Sequence, residues 1–344
     1  MENCIKLIFV AIMLFAFSCK NQHSANESTD TPAVITINNY KNQTIDIDSF
    51  TTAVDTTLLV MDKHIMASIK DLCMMDSSIC VLDKMNTIAI FDIASGKTKK
   101  VEKRVGTGPG EYVSPQAIIS DNDTIYVLDL QALCVLVYDK ELNFIRKVRT
   151  NFPAMDFIKV DDGFLFYNLN ATSKLKRIVY TDLNGHVINS FRLSERENDV
   201  LLSENVFSKD EKGNVYIMEP MSNIIREWRN EKIHDSFVLD FGSKTSNANK
   251  NSLLLKEQKE IVMQSHLTSK YVVTTFISNN KVYTNVYDKE QNKSFTGIMH
   301  TGLPAAFSPS LVYKGSIVDV YEPFFDEDET FDVDMVYVKY DLKK

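Results

Sequence analysis

The feature that most constrains the fold of this chain is a repeated two-strand phrase. A short apolar strand ends in an acidic or amide residue, and a second strand that ends in an aromatic residue and Asp follows it. The clearest copies are ICVLD with IAIFD within residues 79–92 and IYVLD with VLVYD within residues 125–139, and weaker copies begin near residues 164, 215, 281 and 317. One such unit cannot bury its apolar face alone, so the repeats predict a propeller-like array rather than separate domains.

A further strand precedes each pair and an outer strand follows it. The upstream strands include residues 69–75 and 116–120, and the outer strands include residues 98–104 and 143–149. Six such units predict an all-β fold, namely a six-bladed β-propeller with four-stranded antiparallel blades. The last unit has no outer strand after residues 335–341, so we expect an N-terminal strand, from the strand-like segments at residues 45–50 and 57–61, to close the last blade.

Residues 252–266 (SLLLKEQKEIVMQSH) interrupt the strand pattern. Lys256 and Glu260 have i, i+4 spacing, and four apolar residues can form one stripe, which predicts a helix inserted before the innermost strand of the fifth blade. That innermost strand is expected at residues 271–275. The helix could be a cap packed over one channel mouth or a lid over a ligand.

The first residues resemble an export signal. Lys6 precedes an uncharged apolar run at residues 7–17, which at about 1.5 Å per residue is too short for a helix to cross a bilayer core of about 30 Å. Small residues then lead to Cys19, as in a bacterial lipoprotein signal, whose cysteine becomes the acylated first residue. An ordinary secretory signal with an incidental cysteine is the alternative.

This resemblance implies a domain organisation. We expect a lipoprotein signal peptide at residues 1–18, a flexible tether at residues 19–33 and a six-bladed propeller over residues 34–344. Lys-Asn-Gln, rather than acidic residues, follows Cys19, which favours an outer-membrane anchor that faces the periplasm. The protein would then be a monomer in the cell envelope, attached to the membrane through its lipid only.

Composition and motif searches argue against several function classes. The net charge of −8 disfavours nucleic acid, since binding phosphates needs basic stripes. The histidines have no paired metal-ligand spacing, and no nucleophile motif is present. We therefore expect no metal, no cofactor and no catalytic residue. Residues 326–334 (DEDETFDVD) lack the Gly and terminal Glu of an EF-hand, so a solvated loop is expected, with weak calcium binding as the alternative.

A glycine-rich motif, GTGPGEY at residues 106–112 with Arg104 before it, connects the first unit to the second. It resembles the Gly-x-Gly-Pro-Gly-Glu-aromatic signature of the six-bladed β-propeller lipoproteins of bacterial envelopes, which are relatives of the NHL-type propellers. That family is defined by its fold, so the resemblance implies an architecture rather than a chemistry. A phosphate loop would need a following helix and a Lys with Ser or Thr. We expect a structural corner instead, with Arg104, Glu111 and Tyr112 near a channel mouth.

In propellers, ligands usually meet residues at the starts of the innermost strands, which point into the central channel. Alignment of the units places a mixed polar set there, and the candidate ligand-binding residues are Asp71, Arg104, Gln116, Asp156 and Asn205. These groups could hydrogen-bond a sugar or a peptide, but they lack the ring of histidines or carboxylates that hydrolytic or metal chemistry needs. A water-filled channel without a ligand is the alternative.

Cys73 and Cys80 flank a tight polar turn and should face each other across a hairpin. An oxidising envelope permits a disulfide between them, and buried free thiols are the alternative.

Taken as a set, these patterns predict a lipid-anchored, non-catalytic envelope propeller that serves as a binding or scaffold module for an envelope protein or a glycan. The alternative function is a propeller enzyme that acts on a carbohydrate or a lactone in the central channel.

Overall fold

The computed structural model describes residues 31–61, 66, 68–193, 205–219, 222–242, 260–322 and 335–344. The first three strands are N-terminal: β1 (Ala33–Thr36), β2 (Thr44–Asp46) and β3 (Thr51–Leu59), with a 3-10 turn at Ile47–Ser49 between the last two. The expected signal peptide and Cys19 lie outside the described residues.

Six sheets follow, and the antiparallel strands of each blade run in chain order from innermost to outer, except that the outer strand of the sixth blade is β3. Blade 1 contains β4 (Ile69–Met75), β5 (Ser78–Asp83), β6 (Ile88–Asp92) and β7 (Thr98–Glu102). Blade 2 contains β8 (Pro115–Asp121), β9 (Thr124–Asp129), β10 (Cys134–Asp139) and β11 (Phe144–Arg149). Blade 3 contains β12 (Ala154–Val160), β13 (Gly163–Asn168), β14 (Ile178–Asp182) and β15 (Val187–Phe191). Blade 4 contains β16 (Phe207–Lys209), β17 (Val215–Ile217), β18 (Ile224–Arg229) and β19 (Lys232–Asp240). Blade 5 contains β20 (Glu260–Leu267), β21 (Tyr271–Ser278), β22 (Lys281–Asp288) and β23 (Lys293–His300). Blade 6 contains β24 (Leu311–Tyr313), β25 (Ser316–Tyr321) and β26 (Met335–Leu342). The predicted all-β, six-bladed propeller is confirmed.

The last blade is closed by the N-terminal segment, as predicted. Strand β3 pairs antiparallel with β26 from Leu59, opposite Met335, to Thr51, opposite Leu342. The closing strand lies between and partly across the two segments that the sequence suggested. Because both chain ends share one sheet, β26 has no exposed edge.

The rest of the N-terminal segment lies against the outer rim. Strand β1 pairs parallel with β19 of blade 4, and β2 pairs parallel with β23 of blade 5, so both sheets have five strands. After β3, the Val60 N–H donates to the Gly96 carbonyl in blade 1 at 2.9 Å. The segment therefore contacts blades 4, 5, 6 and 1 in succession, and it buries Ile35 and Tyr40 between blades 4 and 5.

Six apolar clusters fill the six gaps between neighbouring blades. The gap between blades 2 and 3, for example, contains Tyr126 and Val135 from one side and Phe157 and Phe164 from the other. Burial is roughly worth 1.5–3 kcal/mol for each large apolar side chain. Each blade therefore depends on both of its neighbours for a core.

The Asp that ends the repeated phrase caps the following turn. Asp92, Asp139, Asp182 and Asp288 end the third strands of blades 1, 2, 3 and 5, and the Oδ1 atom of each accepts a backbone N–H from the turn at 2.8–3.0 Å. An Asp side chain that bonds its own backbone in this way fixes a turn without glycine. The recurrence of Asp thus has a structural cause.

The helix predicted near residues 252–266 is wrong for residues 260–266, which are the part of that segment that the structure describes. Residues 260–267 form β20, the innermost strand of blade 5, while residues 252–259 lie outside the described residues. Pairing with β21 and burial of Val262 and Leu267 against blade 4 outweigh the local helical spacing. Strand β21 is consequently the second strand of blade 5 rather than the innermost one.

We predict that the rim segment stabilises the ring. Deletion of residues 20–31 should leave the melting temperature unchanged, because no described strand is removed. Deletion of residues 20–50 removes β1, β2 and the buried side chains of Ile35, Ile37, Tyr40 and Ile47, and should cost several kcal/mol of unfolding free energy. Denaturant unfolding of the two variants checks this, and equal stability of the longer deletion and the intact chain would contradict it.

Candidate functional site

A cavity of about 620 Å³ lies inside the ring formed by the innermost strands. Each of β4, β8, β12, β16, β20 and β24 contributes lining residues. Ligand cavities in proteins commonly measure about 300–1,000 Å³. The space is therefore large enough for a small ligand or for the end of a larger one.

The innermost strands of four blades have a register shift near their start. The shift leaves one residue unpaired, namely Lys70 in β4, Gln116 in β8, Met155 in β12 and Met263 in β20. An extra residue of this kind bends a strand and redirects the side chains that follow. In three of these blades, the next residue bonds the backbone of the following blade.

Asp71 and Asp156 occupy this position in blades 1 and 3 and make the same contacts. Oδ1 of Asp71 accepts the next backbone N–H at 2.8 Å, and Oδ2 accepts the Ile118 N–H of blade 2 at 2.6 Å. Oδ1 of Asp156 likewise accepts its own neighbour's N–H at 2.7 Å, while Oδ2 accepts the N–H groups of Val206 and Phe207 at 2.7 and 3.2 Å. Each carboxylate thereby joins its innermost strand to the one that follows.

Blade 5 makes the corresponding link with donors instead of acceptors. Nε2 of Gln264 donates to the Pro309 carbonyl at 2.5 Å, and Nε2 of His266 lies 2.9 Å from the same oxygen. Burial lowers the pKa of His266 to about 4, so the ring is neutral at pH 7 and its Nε2 carries the proton. Its buried Nδ1 has no hydrogen-bond partner among the described residues.

Polar contacts also join the blades at the far ends of the innermost strands, beside the turns to the second strands. They link blade 3 to 2, blade 6 to 1 and blade 5 to 4. The contacts are Lys159 with Asp121 at 2.8 Å, Lys314 with Asp76 at 2.9 Å, and the Ser269 N–H with Glu211 at 2.8 Å. The Lys314–Asp76 pair is largely exposed, so it contributes little to stability.

Acidic groups outnumber basic ones around the cavity. The lining includes seven carboxylate residues and three lysines, together with His266. Burial raises the pKa of Asp156 to about 7, although its three backbone N–H donors oppose the rise. The electrostatic character favours ligands that carry positive charge or many hydrogen-bond donors.

Three of the five predicted binding residues line the cavity together: Asp71, Asp156 and Asn205. Asn205 is exposed, whereas Asp156 is buried with its carboxylate already bonded. Gln116 is buried and Arg104 half-buried, and neither lines the cavity. The polar set therefore divides into groups that hold the wall and Asn205, whose side chain is exposed.

The glycine-rich motif forms a closed corner. Oε2 of Glu111 accepts the Gly108 N–H at 2.8 Å, and a Cβ on Gly106 would lie 2.1 Å from the same oxygen. The Arg104 guanidinium makes two bonds to the Glu102 carboxylate, at 2.9 and 3.1 Å. Tyr112 is buried and its hydroxyl accepts the Arg104 N–H at 3.0 Å. These residues satisfy one another within the loop.

Cys73 and Cys80 are directly opposite each other on β4 and β5, as expected, and both are buried free thiols in the structure. Contact with Cys73, together with burial, raises the pKa of the Cys80 thiol well above its usual value. Low thiolate content makes such a thiol slow to react.

Sequence reasoning missed Gln264, His266 and Lys159. The first two lie within the segment whose spacing predicts a helix. No simple alternation marks them, because the bulge at Met263 shifts the two faces of β20 and His266 is itself buried. Lys159 follows the candidate Asp156 by three residues, but only the fold brings it to Asp121.

Within the described ranges, no group of three or more His, Cys, Asp or Glu side chains is arranged to hold a metal ion. None of the described segments contains a helix with the length and apolar character needed to cross a bilayer. The acidic residues 326–334 lie outside the described residues.

The sequence matches one family model, described as "Domain of unknown function (DUF4934)", over residues 33–326. No curated protein matches this sequence.

The fold of this chain resembles those of solved structures. A Bacteroides fragilis protein, inferred to be exported, has a TM-score of 0.70 at 16% identity, with 91% of this chain and 100% of that chain covered. A member of the DUF4221 family from Bacteroides vulgatus has a TM-score of 0.52 at 11% identity, with 84% and 98% covered. At these identities the likeness concerns the fold alone.

The burial of Asp156 predicts an unusual pH dependence. Its pKa is about 7 in the folded protein against a usual 3.8, so the folded state holds a proton that the unfolded state has released, and stability falls as the pH rises through 7. The wild-type protein should unfold less easily at pH 6.5 than at pH 8, with about 1 kcal/mol of the difference due to Asp156.

Urea unfolding at the two pH values checks this expectation. Asp156→Asn should reduce the difference between the two pH values, whereas Asp161→Asn, in an exposed turn, should leave it unchanged. A difference that Asp156→Asn leaves intact would contradict the assignment, even if that variant is less stable overall.

Proposed function

The chain belongs to the family described as "Domain of unknown function (DUF4934)", and we propose that it is an exported, non-catalytic binding module whose central cavity takes the ligand. The observation that carries this proposal is the 620 Å³ cavity with walls cross-linked between blades. A wall that is already ordered loses little entropy on binding, which favours affinity.

The ligand that fits best is rich in hydrogen-bond donors. The cavity has more carboxylates than lysines, so an amino sugar, a polyhydroxylated sugar or a basic peptide side chain would be attracted and an acidic sugar repelled. These chemistries agree with an envelope glycan or an envelope protein as partner.

The proposed location is the cell envelope. It rests on the apolar run before Cys19 and on the polar residues that follow it, and it agrees with the inferred export of the Bacteroides fragilis protein. In this proposal Cys19 carries the lipid and the monomeric propeller faces the periplasm from the outer membrane. The tether ends at residue 32, one residue earlier than expected, because Ala33 begins β1.

Replacement of Cys19 tests the anchor. Cys19→Ala should abolish incorporation of labelled palmitate and release the protein into the soluble fraction, because the acylated cysteine is the proposed membrane attachment. Cys134→Ala, which removes a buried thiol of the propeller, is the matched control and should keep the label. Labelling of Cys19→Ala would contradict lipidation at this position.

Asn205 offers the cleanest test of binding. It lines the cavity and is exposed, so Asn205→Ala should keep wild-type stability while it weakens binding about tenfold. Saturation-transfer NMR with chitosan oligomers, neutral glucan oligomers and oligogalacturonate would measure this, with Asn184→Ala, on an exposed turn, as the control.

Binding of the amino sugar but not of the uronic acid supports the proposal. Equal binding of the three glycans, or the same affinity in wild type and Asn205→Ala, counts against it. Turnover of a carbohydrate or a lactone that is lost in Asn205→Ala would favour the alternative function, a propeller enzyme.

A further inference from the structure

The rim of the ring accepts additional strands at defined positions. In blade 4 the outer strand β19 has a register shift that leaves Ser236 unpaired, and β1 pairs with the residues directly after it, from Phe237 to Asp240. In blade 5, β2 pairs in the same parallel sense with residues 298–300 of β23. The outer edge of a blade in this protein is thus a surface for parallel strand addition.

The segment that fills these positions does not reach every blade. It lies on blades 4 and 5, completes blade 6 and touches blade 1 through Val60. Among the described residues, no further strand pairs with the outer strands of blades 2 and 3, which are β11 and β15. Open edges of this kind are templates for pairing with another chain.

The outer edge of blade 2 is strongly basic, and among the described residues it is free of a partner strand except that Gly185 of blade 3 lies against the Arg149 carbonyl at its last residue. Strand β11 also has a register shift, which leaves Ile145 unpaired, and Arg146, Lys147, Val148 and Arg149 follow in the positions that Phe237–Asp240 take in blade 4. Lys147 and Arg149 are exposed, form no ion pair among the described residues and lie two residues apart, on one face of the strand. Ile145 is 55% exposed beside them.

The chemistry of the other edges differs. Strand β15 has no charged residue between Val187 and Phe191, and the occupied edge of blade 4 ends in the acidic Asp240. Strand β11 itself contains three cationic residues, Arg146, Lys147 and Arg149, and no acidic residue. Strand β7 of blade 1 also carries lysines, but its Lys99 and Lys100 pair with Asp92 and Glu102. Among the described outer strands without a further partner strand, β11 is therefore the one with unpaired cations.

We propose that the rim of blade 2 binds an extended acidic segment of a partner protein as a parallel fifth strand on β11. Backbone hydrogen bonds to the open edge would provide affinity, as they do for β1 and β2 in their blades. Carboxylates at alternate positions of the guest strand would lie opposite Lys147 and Arg149, at the spacing of about 5 Å that cross-strand neighbours have. This site is separate from the central cavity and does not depend on a ligand there.

A purely protective role for the cations is the competing explanation. Natural sheets often place lysines on an edge to prevent pairing with other chains. The two explanations differ in outcome, because protection predicts that an acidic strand does not pair with β11.

The test uses short synthetic peptides and the full propeller. The probe is an acetylated and amidated peptide, Thr-Glu-Val-Glu-Ile-Glu-Thr, with a fluorescent label; Lys in place of Glu gives one control peptide, and N-methylation of alternate residues gives another. We expect saturable binding of the Glu peptide alone, measured by fluorescence polarisation, with slower amide hydrogen exchange confined to residues 144–149.

Matched protein variants distinguish binding at the rim of blade 2 from general electrostatic attraction to the protein surface. Lys147→Glu combined with Arg149→Glu should weaken binding at least tenfold, whereas Lys103→Glu combined with Lys232→Glu, two exposed lysines on other blades, should not. Circular dichroism melting establishes that both double variants are folded.

Several results would overturn the proposal. Equal binding of the N-methylated peptide would mean that charge alone acts, without strand addition. Exchange protection outside β11, or no binding of the Glu peptide, would also refute it. Self-association that is lost in the Lys147/Arg149 double variant, without peptide binding, would identify a second copy as the occupant instead.

Discussion

Every innermost strand of a propeller has one edge that its own blade cannot pair. Backbone groups on that edge need partners, because an unpaired buried N–H or C=O costs free energy. In this protein, side chains of neighbouring innermost strands supply many of them: Asp71 and Asp156 accept N–H groups of the next blade, and Gln264 and His266 donate to the Pro309 carbonyl. The ring at the centre is held by these links.

This requirement shapes what the cavity can do. A carboxylate that already accepts three backbone N–H groups, as Asp156 does, is poorly placed to hold a ligand or to transfer a proton. Its pKa near neutrality is caused by burial, which its backbone hydrogen bonds only partly offset. Exposed groups such as Asn205 are the ones among the described lining residues with bonding capacity left.

Outer strands at the rim also have backbone groups that their own blade cannot pair, and these groups are satisfied in a different way. There the N-terminal segment adds parallel strands to blades 4 and 5 and completes blade 6, which satisfies outer edges with backbone instead of side chains. Blades 2 and 3 keep open outer edges among the described residues. Their sequences differ sharply, since β11 is cationic and β15 is uncharged.

The number of blades, most strands of blades 1 to 4 and 6, and the closure by an N-terminal strand could be predicted from the sequence alone. These follow from local signals: alternating apolar residues, an Asp that bonds its own turn, and a final unit that lacks a strand. The sequence could not decide the structure of residues 260–267, where helical and strand patterns compete, because only pairing with Tyr271–Ser278 favours the strand. Nor could it separate Asp156 from Asn205, since both begin innermost strands. Only the folded ring shows which of the two is buried against the next blade, because that burial depends on contacts between residues about 50 positions apart in the chain.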